Sequence, residues 1–296
     1  ISTPGPVGFA ALGIARLLGI PSAGIYHTDY PRHVNHIVQD GKMGEFAGSA
    51  AAWFYNSVDT VLVPSRFYMN DLEAMGIPKE RMELFPRGTD CELFSPVWRS
   101  DEFMRKFGGN SGSIRLVYAG RVSREKDLDI LASAFLTAKE SLPSLELYIL
   151  GDGPYLGELV NQLSGKGCYF CGELHGEDLS RAYASGDIFV FPSSTDTFGN
   201  SVLEAQASGL PAIVSDRGGP QEIIEPGKTG LVFTSHDPES LAFAILHIAE
   251  NKELLKSMSV KAREMALSRT WEKAFNELWS ISSQKSRIKN RNGSSK

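Results

Sequence analysis

The residues best suited to chemistry in this chain stand directly after apolar, strand-like runs. After Leu116–Ala119 comes Gly120-Arg121-Val122-Ser123-Arg124-Glu125-Lys126. A glycine lets a ligand approach the backbone. Arg121 and Lys126 then offer a planar fork and a point charge, a pair that suits a diphosphate. After Ile188–Phe191 comes a loop of hydroxyls, an acid and a glycine, Pro192 through Gly199, that feeds a helix at Asn200. The first N–H groups of such a helix are unpaired and its dipole is positive there, so a phosphate or sugar oxygen is welcome. Asp196 in the loop and Glu204 one turn into the helix can reach two parts of one polyol ligand. Glu204 is flanked by Val202, Leu203 and Ala205, so it is expected to be partly buried and to need a partner. Each feature also has a plainer reading: a solvated basic turn, a local cap, a solvated helix face. Gly151-Asp152-Gly153-Pro154 alone reads as a tight turn into a helix, and Gly218-Gly219 as an ordinary turn or another close backbone approach.

Other candidates carry less. His27, in Ile25-Tyr26-His27-Thr28-Asp29, stands at a strand end, where histidine more often packs or caps than catalyses. His33-x2-His36 has metal-pair spacing but reads as helical surface. Cys168-x2-Cys171 lacks a second Cys/His pair at zinc spacing, so both cysteines read as small apolar strand residues. No metal is assigned. The chain has no G-x-S-x-G elbow and no P-loop. It also lacks a G-x-G-x-x-G after a first strand, which sets a nicotinamide-dependent dehydrogenase aside.

Positioning these residues requires parallel strands joined by helices. Strand-like runs at Arg115–Ala119, Leu145–Leu150, Tyr169–Phe170, Ile188–Phe191, Ala212–Ser215 and Gly230–Phe233 alternate with helical patterns. The helical patterns include Asp127–Glu140, Asp178–Ala184, Asn200–Ser208 and Pro220–Ile224. This βαβ rhythm gives an α/β fold with a parallel sheet covered on both faces. Six such strands make a complete doubly wound domain, whose ligands lie beyond the carboxyl ends of the strands. Residues 1–90 supply only three strand-like runs and read as the later half of a second such domain, with a long helical stretch over Val34–Ser57. The chain opens on Ile1-Ser2-Thr3-Pro4, a strand end running into a loop. The first domain is therefore expected to be truncated, with one side of its sheet unpaired. The expected organisation is 1–90 for this acceptor-side domain, 91–113 for a glycine- and proline-punctuated linker, 114–270 for the donor-side domain, 271–282 for a crossover helix and 283–296 for a basic disordered tail.

A chain of 296 residues suits two domains, and 42% apolar with 22% charged residues is ordinary for a globular protein. The net charge of −5 hides an asymmetry. Lys285, Arg287, Lys289, Arg291 and Lys296 give the last twelve residues +5 without an acid, leaving −10 on the rest. An acidic body argues against nucleic-acid binding. The tail reads as a solvated end, with peripheral contact to an anionic membrane as the alternative. Three cysteines give no disulfide framework and suit a reducing compartment. No apolar run approaches ~18 residues, so no membrane-spanning helix is expected. No leader pattern is read at the start.

Taken in order, several motifs together resemble a known family. They are Ala119-Gly120-Arg121 with Lys126; Gly151-Asp152-Gly153-Pro154; Pro192-Ser193 through Glu204; Ala205-Gln206-Ala207-Ser208-Gly209-Leu210-Pro211; and Gly218-Gly219 with Glu222. The family is the retaining glycosyltransferases of family 4 (glycosyl transferases group 1), which have the GT-B architecture of two Rossmann-like domains. The likeness covers nearly the whole chain and is strongest from Leu116 to Phe233. The family signature is two glutamates with seven residues between; here Asp196 takes the first place and Glu204 the second. The resemblance implies that Arg121 and Lys126, beside Gly120, bind the donor diphosphate and that Glu204 holds the ribose hydroxyls. Asp196, with the backbone of Phe198, Gly199 and Asn200, would hold the donor sugar. Leu174 or His175 would lie near the base, and His27 would contact the sugar from the other domain. Phe85-Pro86-Arg87-Gly88-Thr89-Asp90 resembles the interdomain segment, with Arg87 where asparagine is usual.

The implied reaction moves a sugar from a UDP- or GDP-sugar to an acceptor hydroxyl with retention of configuration. Neither a metal nor another cofactor is required, because Arg121, Lys126 and the helix start at Gly199 answer the charge on the departing phosphate. Asp196 and His27 would hold the sugar rather than act as nucleophile or base. The acceptor is a glycan, a lipid or a small molecule. The expected location is cytoplasmic, with the inner face of the membrane as the alternative. Competing readings are a GT-B phosphorylase, a sugar-nucleotide epimerase, and a nucleotide-sugar-binding protein without turnover; donor hydrolysis separates the last from an enzyme.

Overall fold

The computed structural model describes residues 1–2, 4–27 and 41–281, the side chains of 41–47 excepted. His33, His36, residues 34–40 of the expected helix and the basic tail lie outside the described residues. The chain divides into two compact units, Ile1–Arg87 with Trp271–Lys296, and Gly88–Thr270.

In the first unit β1 (Ala23–Ile25), β2 (Thr60–Val63) and β3 (Met82–Leu84) form a parallel sheet in that order. Helices α1 (Pro6–Leu17), α2 (Gly41–Ser57) and α3 (Arg66–Ala74) accompany it. Pro6 opens α1 at a position where its missing N–H would be unpaired anyway. All four β2 side chains are buried, as expected of a parallel strand covered on both faces. Val61 and Val63 pack in a core with Phe54, Tyr55, Tyr68 and Leu72. The Ile25 N–H donates to the Ile1 carbonyl at 3.0 Å and the Ile1 ammonium donates to the Ala23 carbonyl at 2.7 Å. The sheet edge expected to be unpaired is thus occupied there by the first residue of the chain. The helix over 271–281 belongs with this unit.

The second unit holds a parallel sheet in the order β6-β5-β4-β7-β8-β9. Its strands are β4 (Ile114–Ala119), β5 (Leu145–Leu150), β6 (Cys168–Gly172), β7 (Ile188–Phe191), β8 (Ala212–Ser215) and β9 (Gly230–Phe233). Its helices are α4 (Asp101–Arg105), α5 (Leu128–Ser141), α6 (Leu156–Leu163), α7 (Gly176–Ala184), α8 (Asn200–Ala207), α9 (Pro238–Ala249) and α10 (Lys252–Leu267). Asp237 and Asn251 cap α9 and α10, accepting from Ser240 and Leu254 N–H at 2.9 and 3.0 Å. The helix expected over Pro220–Ile224 is a single 3-10 turn, Pro220–Glu222. Helix α5 starts one residue later than expected, because Asp127 takes a left-handed conformation at φ 53°.

Residues 91–113, expected as a linker, are a packed part of the second unit. Phe94, Phe103 and Met104 enter its core. The Arg115 side chain, 2% exposed, donates to Asp101 Oδ1 at 2.6 Å and to the Ser185 carbonyl at 3.2 Å, while Arg99 pairs with Asp187 at 2.8 Å. The turn-forming residues disguised a segment that is held by side chains distant in sequence. The Arg115 hydrogen bond keeps the Asp101 carboxyl below the ordinary aspartate range. Its contribution to stability is therefore full above the ordinary aspartate pKa and is lost as pH falls through the lowered value. Asp101→Asn should cost about 1–2 kcal/mol, the exposed partner discounting the larger penalty of a fully buried pair. Melting curves should show the deficit near neutral pH, closing in acid; a constant deficit at every pH would contradict the ion-pair account.

Candidate donor site

Strand order in the second unit reverses between β4 and β7, whose following strands lie on opposite sides. The crevice outside the strand ends at such a reversal is where open α/β sheets bind ligands. A cleft of about 740 Å³ lies there, within the ~300–1,000 Å³ range of small-molecule sites. Its walls are Gly120 and Arg121 after β4, Gly151 through Pro154 after β5, Glu173, Leu174 and His175 after β6, Leu179 and Tyr183 on α7, and Ser201 and Glu204 on α8. The loops after β4 and β5 lie against each other: Val122 N–H donates to the Asp152 carbonyl at 2.9 Å. A Cβ on Gly151, at φ +139°, would stand 2.0 Å from the Gly120 carbonyl oxygen. The Gly-Asp-Gly-Pro turn therefore fixes the backbone that carries Arg121.

Of the residues singled out from the sequence, Gly120, Arg121, Leu174, His175 and Glu204 share this cleft. Lys126, Asp196, Phe198, Gly199 and Asn200 do not line it. Lys126 Nζ donates to both Asp196 carboxylate oxygens at 2.8 Å, in a pair whose side chains are about one-fifth exposed. The loop bearing Asp196 is tied to the loop after β4. Ser194 N–H donates to Asp127 Oδ2 at 2.8 Å, and Thr195 Oγ1 donates to the Glu125 carbonyl at 3.0 Å. Gly219 N–H donates to the Asp196 carbonyl at 2.9 Å. The close approach that the double glycine permits is thus made to this loop. Gly199 precedes α8 at φ +102°, and Phe198 packs on the core. His27 lies in the first unit beyond β1, its Nδ1 3.3 Å from the Ile25 carbonyl.

Glu204 is half-buried and accepts from the Tyr183 hydroxyl at 3.0 Å. Burial pushes its carboxyl above the ordinary range, and the Tyr183 hydrogen bond pulls it partly back. Because the folded-state pKa is the higher one, this group favours the fold most below the ordinary glutamate pKa, and that benefit is lost as pH rises through the raised value. Glu204→Gln should therefore raise the melting temperature of the ligand-free protein near neutral pH, with the gain vanishing toward pH 4. Equal melting temperatures across that range would contradict the burial cost.

Sequence reading passed over Tyr183 and Ser201. An aromatic residue on an amphipathic helix looks like core, and Tyr183 is core on one side; its i, i+4 spacing from Leu179 was the available signal. Asp127 and Asp129 have Asp-x-Asp spacing, but Asp127 accepts from the Ser194 N–H. Cys168 and Cys171 are free thiols on β6, and burial pushes the Cys171 thiol up to about 12. Among the described residues no group of three or more His, Cys, Asp or Glu side chains is placed to hold a metal ion.

Two α/β units with parallel sheets, one with a cleft at its strand-order reversal, are the architecture of GT-B glycosyltransferases. The chain belongs to the glycosyl transferases group 1 family, whose model matches residues 99–265, while the model for Glycosyltransferase Family 4 matches residues 1–93. It is 33% identical over 282 residues to the sulfoquinovosyl transferase of Arabidopsis thaliana, covering 94% of this chain and 54% of that protein. It is 34% identical over 282 residues to a GDP-mannose-dependent alpha-mannosyltransferase of Mycolicibacterium smegmatis, covering 94% of this chain and 71% of that one. This chain thus spans little more than half the length of the plant relative. Among solved structures, Anabaena HepE in complex with UDP superimposes with a TM-score of 0.81 at 19% identity, over 95% of this chain and 77% of that one. Sucrose-phosphate synthase from Thermosynechococcus elongatus gives 0.79 at 22% identity, over 95% and 72%. Among the described residues no helix is long and apolar enough to cross a membrane.

Proposed function

We propose that this chain carries the donor site of a hexosyltransferase that moves a sugar from a nucleoside diphosphate to an acceptor hydroxyl with retention of configuration. The observation that carries the reading is that Arg121 and the half-buried Glu204 line one cleft at the strand-order reversal. A cation and a carboxylate facing the same space suit the two ends of a ribosyl diphosphate: Arg121 takes phosphate oxygens and Glu204 accepts from ribose hydroxyls. Leu174 and His175 line the same cleft, where the base would lie. In the reaction the bond from the anomeric carbon to the diphosphate oxygen breaks, one to the acceptor oxygen forms, and the acceptor hydroxyl gives up its proton to the departing diphosphate. Charge grows on the diphosphate, where Arg121 and the N-terminus of α8 stabilise it. Lys126 joins them once a donor draws it from Asp196, which then accepts from the sugar hydroxyls beside the backbone of Phe198, Gly199 and Asn200. The charges come from the protein itself, so the reading calls on no cofactor.

Membership of the family and the name of the mycobacterial relative favour a nucleotide sugar, with GDP-mannose the first donor to test. Cys91, Cys168 and Cys171 form no disulfide with one another, which suits a cytoplasmic location. Incubation with UDP-, GDP- and ADP-sugars should release the nucleoside diphosphate from one of them, with the anomeric configuration of the released or transferred sugar read by NMR. No release from any donor would favour the binding-only alternative, and an inverted product would remove retention from the account.

A further inference from the structure

Glu204 and Tyr183 meet where α7 and α8 both wall the cleft. A phenol has one proton to donate, and Tyr183 gives it to Glu204 Oε2 at 3.0 Å. A carboxylate accepts at about four positions, so this bond leaves acceptor capacity for a ligand. The tyrosine ring is itself held in place. It is 1% exposed, with Phe94 edge-on at 5.7 Å and Phe189 also at 5.7 Å. Phe94 is anchored in turn: its carbonyl accepts from Arg263 at 2.7 Å. The same guanidinium donates to the Cys91 carbonyl and to the Ala207 carbonyl at the end of α8. One braced chain of contacts thus runs from Arg263 through Phe94 to Tyr183 and ends on Glu204.

We propose that Tyr183 is a positioning residue whose hydroxyl fixes the Glu204 carboxylate in the orientation that receives the ribose hydroxyls. The proposal rests on the cleft being a nucleoside diphosphate site, and it assigns Tyr183 no substrate contact of its own. A charge-assisted hydrogen bond removes the carboxylate's freedom to turn into the protein or toward Arg121. Its loss should therefore weaken ribose recognition while leaving the phosphate contacts alone.

The test is calorimetric titration of the full chain with UDP, GDP, ADP and inorganic pyrophosphate. Tyr183→Phe, which keeps the ring, should lower affinity for the preferred nucleotide by roughly 3–10-fold and leave pyrophosphate affinity unchanged. In the Glu204→Gln background the same substitution should add little. Removing the hydroxyl also removes the hydrogen bond that lowers the Glu204 pKa, so the acid limb of nucleotide binding should move to higher pH, which a space-filling ring would not cause. Equal losses for nucleotide and pyrophosphate, the same loss in the Glu204→Gln background, or an unmoved acid limb would overturn the positioning role while leaving the donor-site reading intact. Binding of UDP, GDP and ADP no tighter than pyrophosphate by the unaltered protein would overturn that reading, and the proposal with it.

Discussion

Replacing Arg121 with alanine should weaken binding of the preferred nucleoside diphosphate at least about tenfold, because one charge-assisted contact is worth ~1.5–3 kcal/mol. The same change should leave the melting temperature within about 2 °C. Arg121 is exposed, and surface substitutions usually stay within ±0.5 kcal/mol, or ~2 °C in a unit of this size. Lys126→Ala should differ in a diagnostic way. It should lose affinity similarly, but it also strips the cation from Asp196, which is only 22% exposed. A partly buried carboxylate left without its partner costs ~1–3 kcal/mol, so this variant should melt measurably lower. Binding by calorimetry and stability by melting curve, run on the two variants together, separate ligand contact from internal pairing. Unchanged affinity in both would remove the diphosphate from this part of the sheet.

Gly219→Ala should be among the most damaging single changes in the second unit. A Cβ at Gly219 would stand 2.0 Å from the Thr197 carbonyl oxygen and 2.9 Å from Phe198 Cα. Both atoms are backbone, so no side-chain rotation relieves the overlap, and the loop carrying Asp196 must move. Overpacking of this kind costs up to about 3 kcal/mol, a fall of roughly 6–12 °C in melting temperature for a unit of this size. Turnover should fall further than stability alone predicts, because the displaced loop leads into α8 and Glu204. A variant melting within 2 °C of the unaltered protein would show that the two loops are not packed as described.

Much of this was legible in the sequence for identifiable reasons. The second unit's strands are short apolar runs bounded by turn-forming residues such as Gly151, Pro192, Pro211 and Asp216; hence β5, β7, β8 and β9 fall where the pattern puts them. Arg121 and Glu204 were legible because a charged residue directly beyond a strand, or one turn into the next helix, has few other places to point. What the sequence concealed were side-chain partners far apart along the chain. Lys126 and Asp196 are seventy residues apart, and only the fold shows that they bind each other. Arg115 on Asp101, and Phe94 on Tyr183, likewise turn an apparent linker into part of the second unit's core. Tyr183 escaped notice because its ring obeys the core pattern while its hydroxyl serves the cleft.

The central claim is that Arg121 and Glu204 hold opposite ends of one nucleotide. A crystal structure of the protein grown with the nucleoside diphosphate that binds most tightly tests it directly. The account predicts the diphosphate against the Arg121 guanidinium at the end of β4, and a ribose hydroxyl within hydrogen-bond distance of Glu204. A nucleotide bound elsewhere, or one in this cleft with its ribose turned away from Glu204, would contradict it.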